Sequence, residues 1–244
     1  MAASIDGSMR SGGSSFSLKF TILGQVIVLL FTLLANAILV ILDSRFNLIQ
    51  NALYSMRTFS IVYGIFQCVL YGIVFREKFD SDLVGYRTSN RVTVIGKISR
   101  VIKCALLFSL SCIIIHIVLI LFGAAVQEAV EETSNLAILL STLSTLPCLC
   151  LLGGNGEAWN RFVIQRRPFV GLETCVQYVA FCSLVGAWMG AFTIPLDWDR
   201  DWQVWPIPCA IGALLGHTIG LLAGCLHLLS LMSKQNLKSK NKNF

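Results

Sequence analysis

The segment from Gly186 to Gly224 reads GAWMGAFTIPLDWDRDWQVWPIPCAIGALLGHTIGLLAG and decides the fold. It joins two apolar, glycine-spaced arms through a short loop that is rich in tryptophan and aspartate. Tryptophan has an apolar body and a polar N–H group, so it accumulates where the hydrocarbon of a membrane meets water. We therefore expect the loop at a membrane surface and both arms to be membrane helices. The loop residues of interest are Asp197, Trp198, Asp199, Arg200, Trp202, Trp205 and Pro206.

Glycines recur at intervals of four residues in both arms. They are Gly186 and Gly190 in the first arm, and Gly212, Gly216, Gly220 and Gly224 in the second. Residues four apart lie along one ridge of a helix, and glycine turns that ridge into a groove. In lipid, a face without side chains lets another helix approach closely. Two interpretations remain open: the glycines dock a helix of a partner protein, or they pack helices of this chain together.

The composition is that of an all-α integral membrane protein. Hydrophobic residues make up 55% of the chain and charged residues 13%, and the mean hydropathy is +0.73, which excludes an ordinary water-soluble core. A span needs about 20 mainly apolar residues. We predict one polytopic domain over residues 20–232, a bundle of about six transmembrane helices. The predicted spans are Phe20–Leu42, Phe59–Phe75, Cys104–Phe122, Asn135–Leu152, Val176–Phe192 and Pro206–Met232.

The basic residues predict the orientation. Alternate segments, which include both ends of the chain, hold 16 of the 19 lysines and arginines. Positively charged segments stay in the cytosol, so both termini should be cytosolic and the tryptophan-rich loop should face the lumen or the exterior. Residues 1–19 read as a disordered cytosolic tail, 76–103 as a basic cytosolic loop and 233–244 as a basic cytosolic tail. The net charge of +6 then faces anionic headgroups and not nucleic acid.

An acidic cluster is predicted on the same side as the tryptophan-rich loop. Glu128 and Glu132 are four apart, so on a helix they share a face. Paired carboxylates can hold a metal or act as acid and base, and they can equally begin a helix, where they suit the helix dipole. A transition metal would also need histidine or thiolate. We therefore expect no catalytic residue, no bound metal and no cofactor.

Three histidines and nine cysteines lie inside or at the edges of the predicted spans. Intramembrane ionisable groups are functional candidates, but His116, His217 and His227 are read as neutral imidazoles bonded to neighbouring helices. The cysteines show no paired spacing of metal ligands, so they are read as small packing residues.

The C-terminal end of the chain contains lysines typical of a localisation signal. Lys240 and Lys242 stand five and three positions from the C-terminus, a spacing similar to the dilysine retrieval signal of endoplasmic reticulum membrane proteins. Such a signal acts from the cytosol, where the charge count places this end. The expected location is the endoplasmic reticulum membrane.

Several short motifs stand out in the chain. They are Gly186-Ala187-Trp188, Pro195-Leu196-Asp197-Trp198-Asp199-Arg200, Trp202-Gln203-Val204-Trp205-Pro206-Ile207, Pro147-Cys148-Leu149-Cys150-Leu151-Leu152-Gly153 and Ala158-Trp159, with Glu128 and Glu132-Thr133 upstream. Together they resemble the PIG-F family of glycosylphosphatidylinositol (GPI) anchor biosynthesis proteins. The resemblance covers about residues 107–224. The chain departs from the family pattern at Ala125, Thr193 and Asp201, where proline is usual, and at His217, where an aromatic residue is usual.

The resemblance implies a non-catalytic membrane subunit that stabilises phosphoethanolamine transferases. Its expected partners are catalytic subunits resembling PIG-O and PIG-G, which transfer phosphoethanolamine to the third and second mannoses of the GPI glycan. One alternative is a lumenal metal-dependent phosphoethanolamine transferase that uses Glu128, Glu132, Asp197 and Asp199. The other is a lipid handler that presents phosphatidylethanolamine to the partner.

Overall fold

The computed structural model describes residues 2–41, 46–71, 94–154, 156–165 and 171–242, and within these ranges the regular structure is entirely helical. The helices are α1 (Ala2–Ile41), α2 (Ala52–Val69), α3 (Val94–Leu121), α4 (Val130–Leu152), α5 (Gly156–Trp159), α6 (Leu172–Ala191) and α7 (Ile207–Lys242). A π-helical turn follows α5 at Asn160–Ile164, and a 3-10 turn at Asp201–Gln203 precedes α7.

Five of these helices are long and apolar enough to cross a membrane. The candidate spans are Leu18–Leu39, Val101–Leu121, Val130–Leu152, Leu172–Ala191 and Ile207–Lys238. They correspond to the first, third, fourth, fifth and sixth predicted spans, so the chain is a helical, polytopic membrane protein. Helix α2 covers most of the predicted second span but contains Arg57 and Gln67 and is not among the five. The end of that span, residues 72–75, lies outside the described residues, and the sixth crossing stays a prediction.

Several helices begin earlier in the sequence than hydropathy predicts. Helix α4 starts five residues before Asn135, with Glu131 and Glu132 in its first turn, and α6 starts four residues before Val176, with Glu173 in its first turn. Carboxylates lower the hydropathy of these turns but favour the positive end of the helix dipole, so the backbone is already helical there.

The ends of three further helices extend into segments that were predicted to be loop or tail. Helix α1 begins at Ala2, inside the predicted tail 1–19, and α3 begins at Val94, inside the predicted basic loop. Helix α7 continues past Met232 to Lys242. The disorder of residues 1–19 stays a prediction, and residues 76–93 of the basic loop lie outside the described residues.

Helix α4 forms the centre of the bundle. It packs against α2, α3, α6 and α7, and 78% of its span is buried, whereas none of the α3 span is. Its hydroxyl side chains bond to its own backbone: Thr142 donates to the Ile138 carbonyl at 2.8 Å and Ser144 to the Leu140 carbonyl at 2.6 Å. These bonds let polar residues lie in the core without unpaired groups.

Helix α1 is an integral part of the bundle. It packs along α7, and the Asn36 side chain donates to the Thr218 hydroxyl at 3.1 Å. The Phe31 ring stacks on Phe66 of α2 with centroids 4.0 Å apart. The first span therefore contributes to the core.

Candidate functional site

Helices α6 and α7 approach each other more closely than side chains allow. A Cβ atom built on Gly186 would overlap the carbonyl oxygen of Gly212 and would lie 3.0 Å from the Gly216 Cα. A Cβ on Gly212 would in turn overlap the carbonyl oxygen of Gly186. Even a methyl group is therefore excluded on both sides of this contact, which we call the glycine seam, formed by Gly186, Gly190, Gly212, Gly216, Gly220 and Gly224.

The seam continues along both helices. Gly190 faces the Pro208 backbone, and a Cβ on Gly220 would lie 2.7 Å from the Val179 Cα. At the far end, Gly224 faces Cys175, whose thiol donates to the Gly224 carbonyl at 3.4 Å. All six predicted glycines thus contact the facing helix of the same chain. Docking of a partner helix on these glycines stays a prediction.

A groove of about 470 Å³ opens along one side of the seam. Its floor is formed by Gly186, Gly190, Gly212 and Gly216 together with Cys182 and Pro208. Its walls are two rows of apolar residues spaced four apart, Phe181, Val185 and Met189 on α6 and Ile211, Leu215 and Ile219 on α7. Thr193 and Trp202 close the end beside the loop. We call this feature the seam groove. The sequence indicated its floor but not its walls, because rows of large apolar residues occur on every membrane helix.

The connection between α6 and α7, residues 192–206, is the tryptophan loop. One side chain holds it together: Gln203 Nε2 donates to the carbonyls of Thr193 and Leu196, both at 2.8 Å. The backbone N–H of Arg200 donates to Gln203 Oε1 at 3.0 Å. Gln203 was part of the family motif but was not singled out, because a single glutamine carries no distinctive pattern.

The tryptophans of this loop have different surroundings. Trp198 is 55% exposed, and its ring meets that of Trp202 edge to face at 6.0 Å. Trp205 is half-buried, and its indole N–H donates to the Thr133 hydroxyl of α4 at 3.2 Å. Trp205 therefore attaches the tryptophan loop to the start of α4, and Trp198 remains on the surface. The peptide bond between Trp205 and Pro206 is cis.

The acidic residues do not assemble as a metal site. Glu128 is exposed and Glu132 is half-buried, whereas Glu131, beside them, pairs with Arg57 of α2. The same Arg57 donates to the Asn135 side chain at 2.9 Å. Among the described residues, no three histidine, cysteine, aspartate or glutamate side chains are grouped to hold a metal ion. The arrangement fits the interpretation of Glu131 and Glu132 as the start of a helix.

A polar cluster lies inside the bundle at His217, which has no exposed surface. The hydroxyl of Tyr63 on α2 lies 2.7 Å from His217 Nε2, and the hydroxyl of Ser183 on α6 lies 3.1 Å from Nδ1. The hydroxyl of Thr32 on α1 lies 2.7 Å from that of Tyr63. These contacts join four helices and confirm that His217 is bonded to neighbouring helices. The sequence located His217 but not Thr32, Tyr63 or Ser183, which come from distant segments.

The two outer hydroxyls of this cluster also bond to their own helices. Ser183 donates to the Val179 carbonyl and Thr32 donates to the Val28 carbonyl, both at 2.7 Å. The His217 ring also lies against the Leu143 carbonyl, which lacks its usual helical donor because Pro147, four residues later, has no N–H. Histidine thus lies at the point where α4 has an unpaired carbonyl.

The remaining predicted positions take no part in these contacts. His116 lies 3.5 Å from the Ser134 hydroxyl, and the His227 ring meets Tyr178 edge to face. All nine cysteines are free thiols. Lys240 and Lys242 belong to the last turns of α7, but their side chains lie outside the described part of the chain.

The fold and the site define a class: a polytopic helical membrane protein with a glycine-packed helix pair, in whose described residues no three metal-ligating side chains are grouped. The family described as GPI biosynthesis protein family Pig-F matches residues 27–225. This is well over half of the chain, which therefore belongs to the PIG-F family, as the motifs indicated.

Curated relatives match a little over half of the chain. The GPI ethanolamine phosphate transferase stabilizing subunit of Mus musculus is 46% identical over 136 residues, which are 55% of this chain and 62% of the relative. The protein of the same name from Homo sapiens is 44% identical over the same shares. Glycosylphosphatidylinositol anchor biosynthesis protein 11 of Yarrowia lipolytica is 38% identical over 53% of this chain and 55% of its own length. The chain thus spans less than two thirds of these relatives, and no solved structure matches it.

Proposed function

We propose that this chain is a non-catalytic membrane subunit that stabilises phosphoethanolamine transferases of GPI-anchor biosynthesis. The observation that carries the proposal is the family match over residues 27–225, together with 44–46% identity to relatives named as stabilizing subunits. The partners are catalytic subunits resembling PIG-O and PIG-G, and the transfer they perform goes to the third and second mannoses of the GPI glycan. The location is the endoplasmic reticulum membrane, with Lys240 and Lys242 as the retrieval signal.

The proposed topology has six spans, with α2 as the second and both termini in the cytosol. It places the tryptophan loop and the turn before α4 in the lumen together, which agrees with the hydrogen bond between Trp205 and Thr133. It also places Arg57 and Glu131 on the same lumenal side, in agreement with their ion pair.

The glycine seam gives this subunit its mechanical role. In lipid, helices associate through close packing and not through the hydrophobic effect. Six glycines let α6 and α7 approach each other closely along the whole seam. We propose that the transferase packs its membrane helices against this pair. The chain then acts by presenting a surface that is already ordered. Binding to such a surface costs less conformational entropy than binding to helices that must first be ordered.

Affinity purification of the full chain from endoplasmic reticulum membranes tests the assignment. A catalytic phosphoethanolamine transferase should co-purify, and its abundance should fall several-fold in cells that lack this chain. Unchanged transferase abundance in such cells would contradict a stabilising role. The metal-dependent alternative predicts that the purified chain alone transfers phosphoethanolamine, and that asparagine or glutamine at Asp197, Asp199, Glu128 and Glu132 abolishes the transfer without changing partner abundance.

A further inference from the structure

The seam groove covers only part of the length of α6 and α7. It extends from the tryptophan loop to Phe181 on α6 and Ile219 on α7. The 11 helical steps from Pro208 to Ile219 correspond to about 16 Å at a rise of 1.5 Å per residue, close to half of a hydrocarbon core of about 30 Å. A partner helix that crosses both leaflets would contact the groove over only about half of its length. An acyl chain of a lipid in one leaflet has about the same length as the groove.

The interior of the groove suits hydrocarbon. Its walls are aliphatic or aromatic, and the Thr193 hydroxyl at its end is already bonded to the Gly190 carbonyl at 2.9 Å. The wall residues are open to the surroundings: Phe181 is 67% exposed and Leu215 is 58% exposed. The volume of about 470 Å³ falls within the range of roughly 300–1,000 Å³ that is typical of ligand sites.

Charged residues directly precede Trp202, which lines one end of the groove. Trp202 lines the groove and meets the exposed Trp198 edge to face. Asp199, Arg200 and Asp201, all exposed, lie between these two rings in sequence. Tryptophan faces and carboxylates attract an ammonium group, and a guanidinium pairs with phosphate. A primary ammonium can donate N–H groups to the carboxylates, whereas a quaternary ammonium cannot, so ethanolamine is favoured over choline.

We propose that the seam groove and the tryptophan loop together bind one phospholipid with a primary amine headgroup, phosphatidylethanolamine. One acyl chain lies on the glycine floor between the two walls, and the headgroup lies against Trp198, Asp199 and Arg200. The biological role of this lipid site rests on the proposed function, because the bound phosphatidylethanolamine would lie beside the transferase. The binding itself is a property of the isolated chain.

Native mass spectrometry of the purified full chain tests this directly. The chain is titrated with phosphatidylethanolamine, phosphatidylcholine and phosphatidylglycerol that carry identical acyl chains. We expect phosphatidylethanolamine to bind at least fivefold more tightly than the other two. Leu215→Trp fills the groove and should lower this affinity at least fivefold. Met189→Trp, on the opposite wall, should do the same. The matched control is Leu110→Trp on α3. Leu110 is 50% exposed, similar to Leu215 at 58%, and its replacement should leave lipid binding unchanged.

A second pair of variants separates the headgroup from the chain. Asp199→Asn with Asp201→Asn should remove the preference for phosphatidylethanolamine over phosphatidylcholine while retaining binding of both. Equal affinities for the three lipids in the unmodified chain would overturn the proposal, as would an unchanged affinity in both groove-filling variants. A photo-crosslinking residue at Met189 that captures a polypeptide in native membranes, and no lipid, would also overturn it. Transferase recovery in cells is scored separately, so loss of lipid binding with normal recovery refutes this inference alone.

Discussion

The Tyr63 hydroxyl lies 2.7 Å from Nε2 of His217, at a point where neither residue has more than 1% of its surface exposed. Tyr63 lies on α2 and His217 on α7, and the two residues are 154 positions apart in sequence. Through Thr32 and Ser183 the contact extends to α1 and α6. The side of the bundle built from the first two helices is thereby joined to the glycine-packed pair by hydrogen bonds between buried side chains.

This contact should contribute measurably to stability. In a double-mutant cycle of Tyr63→Phe and His217→Phe, we expect a coupling energy of about 1 kcal/mol, because interhelical hydrogen bonds in membranes contribute about 0.6–1.7 kcal/mol. The measurement is reversible unfolding of the purified chain in detergent. Additive effects of the two substitutions would show that the pair is not coupled. Tyr54→Phe, at a residue that is 51% exposed, serves as the control.

The glycine seam should not tolerate even alanine. Gly186→Ala and Gly212→Ala each place a methyl group on a backbone carbonyl of the facing helix, so we expect losses of about 1–3 kcal/mol, typical of overpacking. Recovery of the co-purified transferase should fall in parallel. Gly64→Ala is the matched control, because a Cβ at that buried helical position meets its nearest atom at an ordinary 3.5 Å. Equal stability of Gly186→Ala and Gly64→Ala would refute the close packing.

The tryptophan loop should depend on the amide group of Gln203. Gln203→Glu removes both N–H donors and leaves the carbonyls of Thr193 and Leu196 facing a carboxylate. At about 1 kcal/mol for each lost hydrogen bond, amide hydrogen exchange across residues 193–203 should accelerate by one to two orders of magnitude. Gln127→Glu adds the same charge to an exposed position in the turn before α4 and should leave the exchange of the tryptophan loop unchanged. Similar exchange in both variants would show that Gln203 does not hold the loop.

The number of spans can be counted with glycosylation tags. The chain contains no Asn-x-Ser/Thr acceptor, so inserted acceptors report without background. Acceptors placed between residues 46 and 51, in the turn before α4 and in the tryptophan loop should be glycosylated, and acceptors in 76–93 and after the last residue should not. Glycosylation in 76–93 as well as in 46–51 would show that α2 does not cross the membrane.

Hydropathy and charge predicted five spans that the structure contains. They were predictable because the tendency of a segment to enter lipid depends on the composition of that segment alone. Their first turns were missed at α4 and α6, where Glu131, Glu132 and Glu173 lower the hydropathy and favour the helix start. The predicted second span corresponds to α2. Its Arg57 pairs with Glu131 of α4, which is 74 positions away in sequence, so the local sequence pattern could not predict this ion pair.

The sequence by itself determined that the chain is a helical membrane protein, that glycines line two of its arms and that it belongs to the PIG-F family, because each of these depends on residue type and spacing within one segment. Only the tertiary structure decided that the glycines face each other across one seam, that His217 lies against Tyr63 and Ser183, and that an open groove remains beside the seam. These are relations between surfaces of different helices. They depend on the rotation and crossing of each helix, which are fixed by packing in lipid and leave no trace in the order of residues along one segment.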